Sequence, residues 1–461
     1  MLIMGAMAFQ ACNPTIEAPT PSAGSADLSR YIAVGNSLTA GRSDDGFTRA
    51  MQEKSYPNLM AKQFEAVGGG VFKQPLASEG TGSGPLLVEE LGTNECGGLA
   101  ISLNNYATAN DWADNVADQG PFNNLGVSYM RVQDVFQPNF HEAITNLCPT
   151  CFDRMVEDPS KSYVEIVAEA VTAIQPTFFT NWLGVSDAIL YGATGGGYVD
   201  TLILGPISQV DVTAPPITPI IPISETFRTN YNAVLDTIMK NGPIDGLLTT
   251  IPDVTTLPFF TTVASNLLTD EEKASPEQNL LQLTSTADCE TRIPIWYKKT
   301  SDIAPSIHDT LMAKEGDYIV QLASLYLGKP VDLGNGEIVP FGFDKRAPLH
   351  NSYVLDASEA QVVQEGTIMM NGIIEEIAAE RNLGLVDMYA FFNELQEGMP
   401  FEGIDMSSVL VSGGAFSLDG LHPCDRGYAI IANAYIEAIN ERFDANILTI
   451  NITQYPCVVV P

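Results

Sequence analysis

Basic residues are scarce in this chain. Lys and Arg total 22 against 56 Asp and Glu, a formal net charge of −34. That imbalance excludes the phosphate neutralisation on which nucleic-acid binding rests, and charge-driven adsorption to anionic lipid. It leaves a soluble, self-repelling surface and names no substrate. Long apolar runs are missing too. The one candidate, Val210 to Ile223, contains Pro215, Pro216, Pro219 and Pro222, which forbid a membrane-spanning helix. Histidine is rare, with four in 461 residues, and His141, His308 and His350 have no chemistry-bearing context. Cys148-Pro-Thr-Cys151 has the spacing of a redox or zinc half-site, but no second Cys-x-x-Cys or nearby His completes a metal centre. It reads as a local disulfide. The glycines at 80, 82 and 84 lack the Lys and Ser/Thr of a phosphate loop, so Gln74 to Gly84 reads as the flexible rim of a cleft. No metal and no cofactor is expected.

What is present is an α/β pattern. The chain is long enough for one large domain with insertions, and 45% of it is hydrophobic, enough for a sizeable core. Short apolar runs ending in turn residues read as buried parallel strands: one from Tyr31, then Asn123–Val127, Thr177–Leu183, Gly246–Ile251 and Gly384–Asp387. Between them, helical periodicity covers Ala50–Glu65 (broken by Pro57), Tyr163–Ile174, Phe227–Met239, Ala357–Asn382 and Asp425–Phe443. Strand–helix alternation predicts a three-layer α/β/α sandwich on a central parallel sheet with right-handed connections. Residues 92–120 are polar and read as a surface insertion. A larger insertion runs from 254 to 350, with a helix expected at Glu315–Leu327 and a hairpin turn at Gly334-Asn-Gly336. Ile447–Pro461 is β-like, an expected edge strand pinned by Cys457. There are no internal repeats.

Two stretches carry chemistry. In Tyr31-Ile-Ala-Val-Gly-Asn-Ser-Leu-Thr-Ala-Gly41 the apolar run ends at Gly35, so Ser37 falls at the carboxyl end of a strand, where open α/β sheets place ligands. Near the other end, Phe416-Ser-Leu-Asp-Gly-Leu-His-Pro423 offers Asp419 and His422 on a loop. A serine hydroxyl is a poor nucleophile until a base removes its proton. His422 is the candidate base, and Asp419 is the group that would orient its ring and stabilise the imidazolium.

Together, Gly35-Asn36-Ser37-Leu38 and Asp419-Gly-Leu-His422-Pro423 resemble the first and last blocks of the SGNH (GDSL) hydrolases, in that order and over roughly Leu28 to Phe443. The resemblance implies a flavodoxin-like fold. It also implies an esterase or lipase activity on the acyl ester of a lipid or an O-acylated carbohydrate, with Ser37, Asp419 and His422 catalytic. In that family the oxyanion is held by the nucleophile's N–H, a block II glycine N–H and a block III asparagine. Here block II best matches Asn124-Leu-Gly-Val-Ser-Tyr-Met-Arg131, putting Tyr129 at the glycine, with Gly126 and the 80–84 glycines as alternative donors, and block III matches Gly184-Val-Ser186-Asp187, putting Ser186 at the asparagine. The oxyanion residues so implied are Ser37, Tyr129 and Ser186, and losing one donor costs about 10²–10³ in rate. Two other readings stay open. Gly184-Val-Ser186-Asp-Ala188 resembles the nucleophile elbow of α/β-hydrolases. Alternatively, the scaffold is catalytically weak or inactive and binds a glycan or an envelope partner.

The first eleven residues are apolar apart from Gln10, and Cys12 follows, although no Lys or Arg precedes Arg30. This resembles the end of a bacterial lipoprotein signal, with Cys12 the lipidated residue. The expected organisation is a signal remnant at 1–11, a lipid-anchored flexible linker at 12–27, the hydrolase domain at 28–445 and an extension at 446–461. The implied location is the bacterial cell envelope, on an outer-membrane lipoprotein whose only membrane attachment is its anchor. The six remaining cysteines, Cys96, Cys148, Cys151, Cys289, Cys424 and Cys457, fit an exported chain with disulfides.

Overall fold

The computed structural model describes residues 20–458 apart from 81, 94–98, 106–113, 145–147, 149, 197–220, 264–293, 301–307 and 335. Cys12, the signal remnant, Cys96 and Cys289 lie outside the described residues, as does nearly all of Val210–Ile223. The framework is a five-stranded parallel sheet of β1 (Tyr31–Gly35), β2 (Asn124–Gly126), β3 (Phe178–Trp182), β4 (Asp245–Thr249) and β5 (Gly384–Val386). Its spatial order is 2-1-3-4-5. Registers are tight: Tyr31 to Gly35 lie opposite Phe178 to Trp182, and Ala33 to Gly35 opposite Asn124 to Gly126. Every residue of β1, β2 and β3 is buried, as in a parallel sheet covered on both faces.

The principal helices are α1 (Tyr56–Phe64), α2 (Tyr163–Ile174), α3 (Val185–Ala193), α4 (Ser224–Ile238), α5 (Ala357–Glu380), α6 (Met388–Glu397) and α7 (Asp425–Phe443). α1 packs on α7, with Tyr56 and Tyr435 stacked 4.8 Å apart and Trp182 of β3 edge-on to both. α2, α4 and α5 pack in sequence against one another. Helix ends follow local chemistry. Pro57 sits in the first turn of α1, where its missing N–H costs nothing. Ser162 and Glu165 form a capping box at the start of α2, and Asp356 and Glu359 form another at the start of α5.

Leu86–Thr93 pairs antiparallel with Leu99–Asn105, beside and within the expected surface insertion at 92–120. Two expectations fail. Glu315–Leu327 is not a helix. Tyr318–Ile319 pairs with Val354–Leu355, and only a 3₁₀ segment, Gln321–Leu325, follows. Ile447–Pro461 forms no strand among its described residues. Ile447, Ile450 and Ile452 are buried, and the backbone of Ile450 bonds to the Asn433 amide, that of Ile447 to Asn440. Side-chain amides on α7 thus replace the neighbouring strand. The Cys424–Cys457 disulfide does pin this segment, and Cys148–Cys151 is also bonded. The expected hairpin around Gly334 is present, pairing Pro330–Asp332 with Ile338–Pro340.

Candidate active site

β1, β2 and β3 all end on the same edge of the sheet, and the candidate residues follow those ends. After β1 the chain enters a single helical turn, Ser37–Ala40, capped by the Asn36 side chain, which accepts the Leu38 N–H at 3.1 Å. Asn36, not Ser37, is therefore the cap, and the Ser37 hydroxyl is left for other contacts. His422 Nε2 lies 2.9 Å from Ser37 Oγ, and His422 Nδ1 lies 2.8 Å from Asp419 Oδ2. Residues 385 positions apart are thus joined in one relay, with both Asp419 and His422 more than nine-tenths buried.

Asp419 accepts at both oxygens. Oδ1 takes the Leu421 and His422 N–H groups at 2.8 Å each and the Ser417 hydroxyl at 3.2 Å. Oδ2 takes the Asp45 N–H at 2.6 Å besides the imidazole. Burial alone would raise its pKa, but the His422 charge and these hydrogen bonds together hold it well below the usual carboxylate range. The proton on His422 Nδ1 then points at Asp419, leaving Nε2 free to accept from Ser37.

Asp45 belongs to a tight turn, Ser43–Gly46, in which Asp44 and Asp45 have φ of 51° and 56°. Asp tolerates this left-handed region better than most residues. The turn lies against the loop that carries Asp419 and His422: Asp44 N–H donates to Ser417 Oγ at 2.9 Å, and Leu418 N–H donates to Asp44 Oδ1 at 2.8 Å. Burial, with Asp419 and Asp425 nearby, pushes the Asp44 carboxyl up to about 7. The Arg42 guanidinium, 5% exposed, binds Asp45 through Nη2 and lies over the rings of Tyr129 and Phe47. None of Arg42, Asp44 and Asp45 was singled out from sequence. The available signal was Ser43-Asp-Asp-Gly46, a composition typical of turns.

Tyr129 is the third residue of a turn closed by Met130 N–H to Val127 C=O, and its φ is 64°. That is a backbone position where glycine is the usual occupant. Ser186, 6% exposed, sits in the first turn of α3 just past β3. The preceding Gly184 has φ 106°, and a Cβ there would lie 2.5 Å from Ile251 Cδ1, so the turn into α3 requires glycine. His422 bonds to Ser37 and to Asp419, and neither His422 nor Asp419 is hydrogen-bonded to Ser186. The adjacent Asp187 is wholly buried. Burial raises it to about 7 although its Oδ2 accepts the Val132 N–H.

The first half of the Gln74–Gly84 rim is tied down. Arg154 donates to the carbonyls of Pro75 and Leu76, and Gln52 bonds to Pro75 and Ala77. The pocket behind the Ser37–Ala40 turn, lined by Ala40, Gly126, Ser128 and Phe47 among others, has space for about one water. Of the other histidines, His141 faces Asp153 at 3.4 Å and His350 caps Ser352. Among the described residues no group of His, Cys, Asp and Glu could hold a metal ion, and no helix is long and apolar enough to cross a membrane. Comparison with protein-family models finds none that matches the chain, and comparison with curated proteins finds none similar to it.

Proposed function

We propose that the protein is a serine hydrolase of the SGNH type that cleaves carboxylic esters through an acyl-enzyme. The observation that carries this reading is the relay Ser37 Oγ, His422 Nε2, His422 Nδ1, Asp419 Oδ2, with steps of 2.9 and 2.8 Å. The strand order 2-1-3-4-5, which flavodoxin-like sheets share, supports it, as does the placement of Ser37 at the carboxyl end of β1.

In this mechanism His422 takes the Ser37 proton as Oγ attacks the ester carbonyl. The tetrahedral oxyanion is held by backbone N–H groups at Ser37 and Tyr129, with the Ser186 hydroxyl in the asparagine's place. Collapse expels the alcohol, which receives the proton from the imidazolium. Water, deprotonated by His422, then releases the acid and restores Ser37. No cofactor enters. The substrate class is a small-molecule or glycan ester, either O-acylated carbohydrate or lipid.

The test is labelling with a fluorophosphonate and turnover of a short p-nitrophenyl ester. Ser37→Ala abolishes both, while Ser186→Ala leaves measurable activity. The reverse outcome transfers the nucleophile to Ser186 and the α/β-hydrolase elbow. A second reading, a weak or inactive scaffold binding a glycan or envelope partner, is favoured by Ser186 standing where the family has asparagine. It predicts no labelling of Ser37. Export as a Cys12-anchored envelope lipoprotein is part of the proposal, and the two disulfides support an oxidising compartment.

A further inference from the structure

The residue before the catalytic acid is held from both sides. Leu418 N–H donates to Asp44 Oδ1 at 2.8 Å, and Leu418 C=O accepts from Gln321 Nε2 at 2.7 Å. The two side chains come from distant parts of the chain. Asp44 follows the nucleophile turn, 374 residues before Leu418, and Gln321 lies in the 254–350 insertion, 97 residues before it. Each grip is doubled. Asp44 N–H binds Ser417 Oγ at 2.9 Å, and Phe259 N–H, also from the insertion, binds Gly420 C=O at 3.0 Å. The seat has no slack on the insertion side. Gly420 has φ 68°, and a Cβ there would lie 2.2 Å from Gln321 Oε1 and 2.7 Å from Phe259 N.

The loop's internal bonds, from Leu421 and His422 N–H to Asp419, fix its own shape. They do not fix its distance from Ser37, which arrives on β1. That distance needs contacts from outside the loop. Fixing both the N–H and the C=O of one residue sets the position and the rotation of the peptide that leads into Asp419.

We propose that Asp44 and Gln321 are positioning residues of the relay, and that the two insertion segments carrying Phe259 and Gln321 serve as a brace for the acid–base loop. This rests on the serine-hydrolase reading. The brace acts on catalysis far more than on binding, because a relay displaced by about 1 Å loses about 10²-fold in rate while substrate contacts persist.

The test uses the full chain and three variants. Gln321→Met keeps the volume of the side chain and removes the donor. Asp44→Ala removes the acceptor. Asp44→Asn keeps a carbonyl acceptor and tolerates the left-handed backbone. Kinetics are measured on a p-nitrophenyl ester per active site titrated with fluorophosphonate, and hydrogen exchange is followed in residues 415–424. Gln321→Met and Asp44→Ala are expected to lower kcat about 10-fold or more with KM within about twofold, and to speed exchange in that segment. Asp44→Asn recovers most of the kcat lost in Asp44→Ala. The proposal falls if kcat per titrated site stays at the parent level in Gln321→Met and Asp44→Ala, or if Asp44→Asn is as impaired as Asp44→Ala. A parent that neither labels nor turns over sinks the hydrolase reading instead. The brace is then judged by exchange alone, and unchanged exchange in Gln321→Met and Asp44→Ala overturns it.

Discussion

Asp419→Asn is the most informative single substitution, because the two carboxylate oxygens face only donors. Oδ1 receives Leu421 N–H, His422 N–H and Ser417 Oγ, and Oδ2 receives Asp45 N–H and the His422 ring. An asparagine must put its NH₂ at one of these positions. At Oδ1 it would oppose two backbone donors, so it settles at Oδ2. There it opposes the Asp45 N–H, which loses its acceptor, and it turns His422 to the tautomer that accepts at Nδ1. Nε2 then carries the proton and cannot take one from Ser37. The wrong tautomer in a Ser-His-Asp relay costs about 10⁴ in kcat. The stability loss follows separately. The charge-assisted bond to Asp45 N–H is removed and that half-buried donor is left without its acceptor, a cost of at most about 1–3 kcal/mol. The sign with pH is fixed, since the folded-state Asp419 carboxyl titrates below its unfolded value. Its stabilisation is present above the unfolded pKa and is lost as pH falls through the folded one. The difference in urea stability between parent and Asp419→Asn should therefore be full at pH 7 and shrink in strong acid. The assay pairs ester turnover at pH 7 with urea melts from pH 7 down to acid. An Asp419→Asn enzyme within about tenfold of the parent kcat would refute the relay reasoning, since removing the base function cannot be that mild.

Ser186→Asn should raise kcat on a simple ester by up to ~10²-fold with little change in KM, because an oxyanion donor acts mainly in the transition state. Equal kcat in Ser186→Asn, Ser186→Ala and the parent would remove residue 186 from the oxyanion site. Asp187→Asn should stabilise the fold at pH 8, since a wholly buried carboxyl raised to about 7 costs up to ~4 kcal/mol once ionised. Stability carried by the neutral acid is lost as pH rises from the unfolded value through about 7, so the gain should vanish near pH 4. A gain that is flat between pH 4 and 8 in urea unfolding would contradict that account.

The sequence by itself determined the framework of this protein. β1, β3 and α7 were legible because their signals are local: a short apolar run ended by a turn residue, or a 3.6-residue periodicity between caps. The triad candidates were legible for a related reason, since Ser37 and the Asp419/His422 pair each sit in a short block whose residue types and order carry meaning. Tertiary structure decided whatever depended on partners distant in the chain. Ile447 to Ile452 has a strand's alternation, yet Asn433 and Asn440 on α7 satisfy its backbone, so no strand forms. The helical pattern at Glu315–Leu327 gives way because Tyr318 and Ile319 pair with Leu355 and Val354, and Gln321 is drawn onto the loop that carries Asp419 and His422. Asp44, Asp45 and Gln321 look like ordinary turn and surface residues in the sequence. They meet the Asp419/His422 loop only because folding brings segments 374 and 97 residues apart onto the two sides of Leu418. Side-chain chemistry can be read one residue at a time. The distance between Ser37 and His422 depends on the packing of the whole chain.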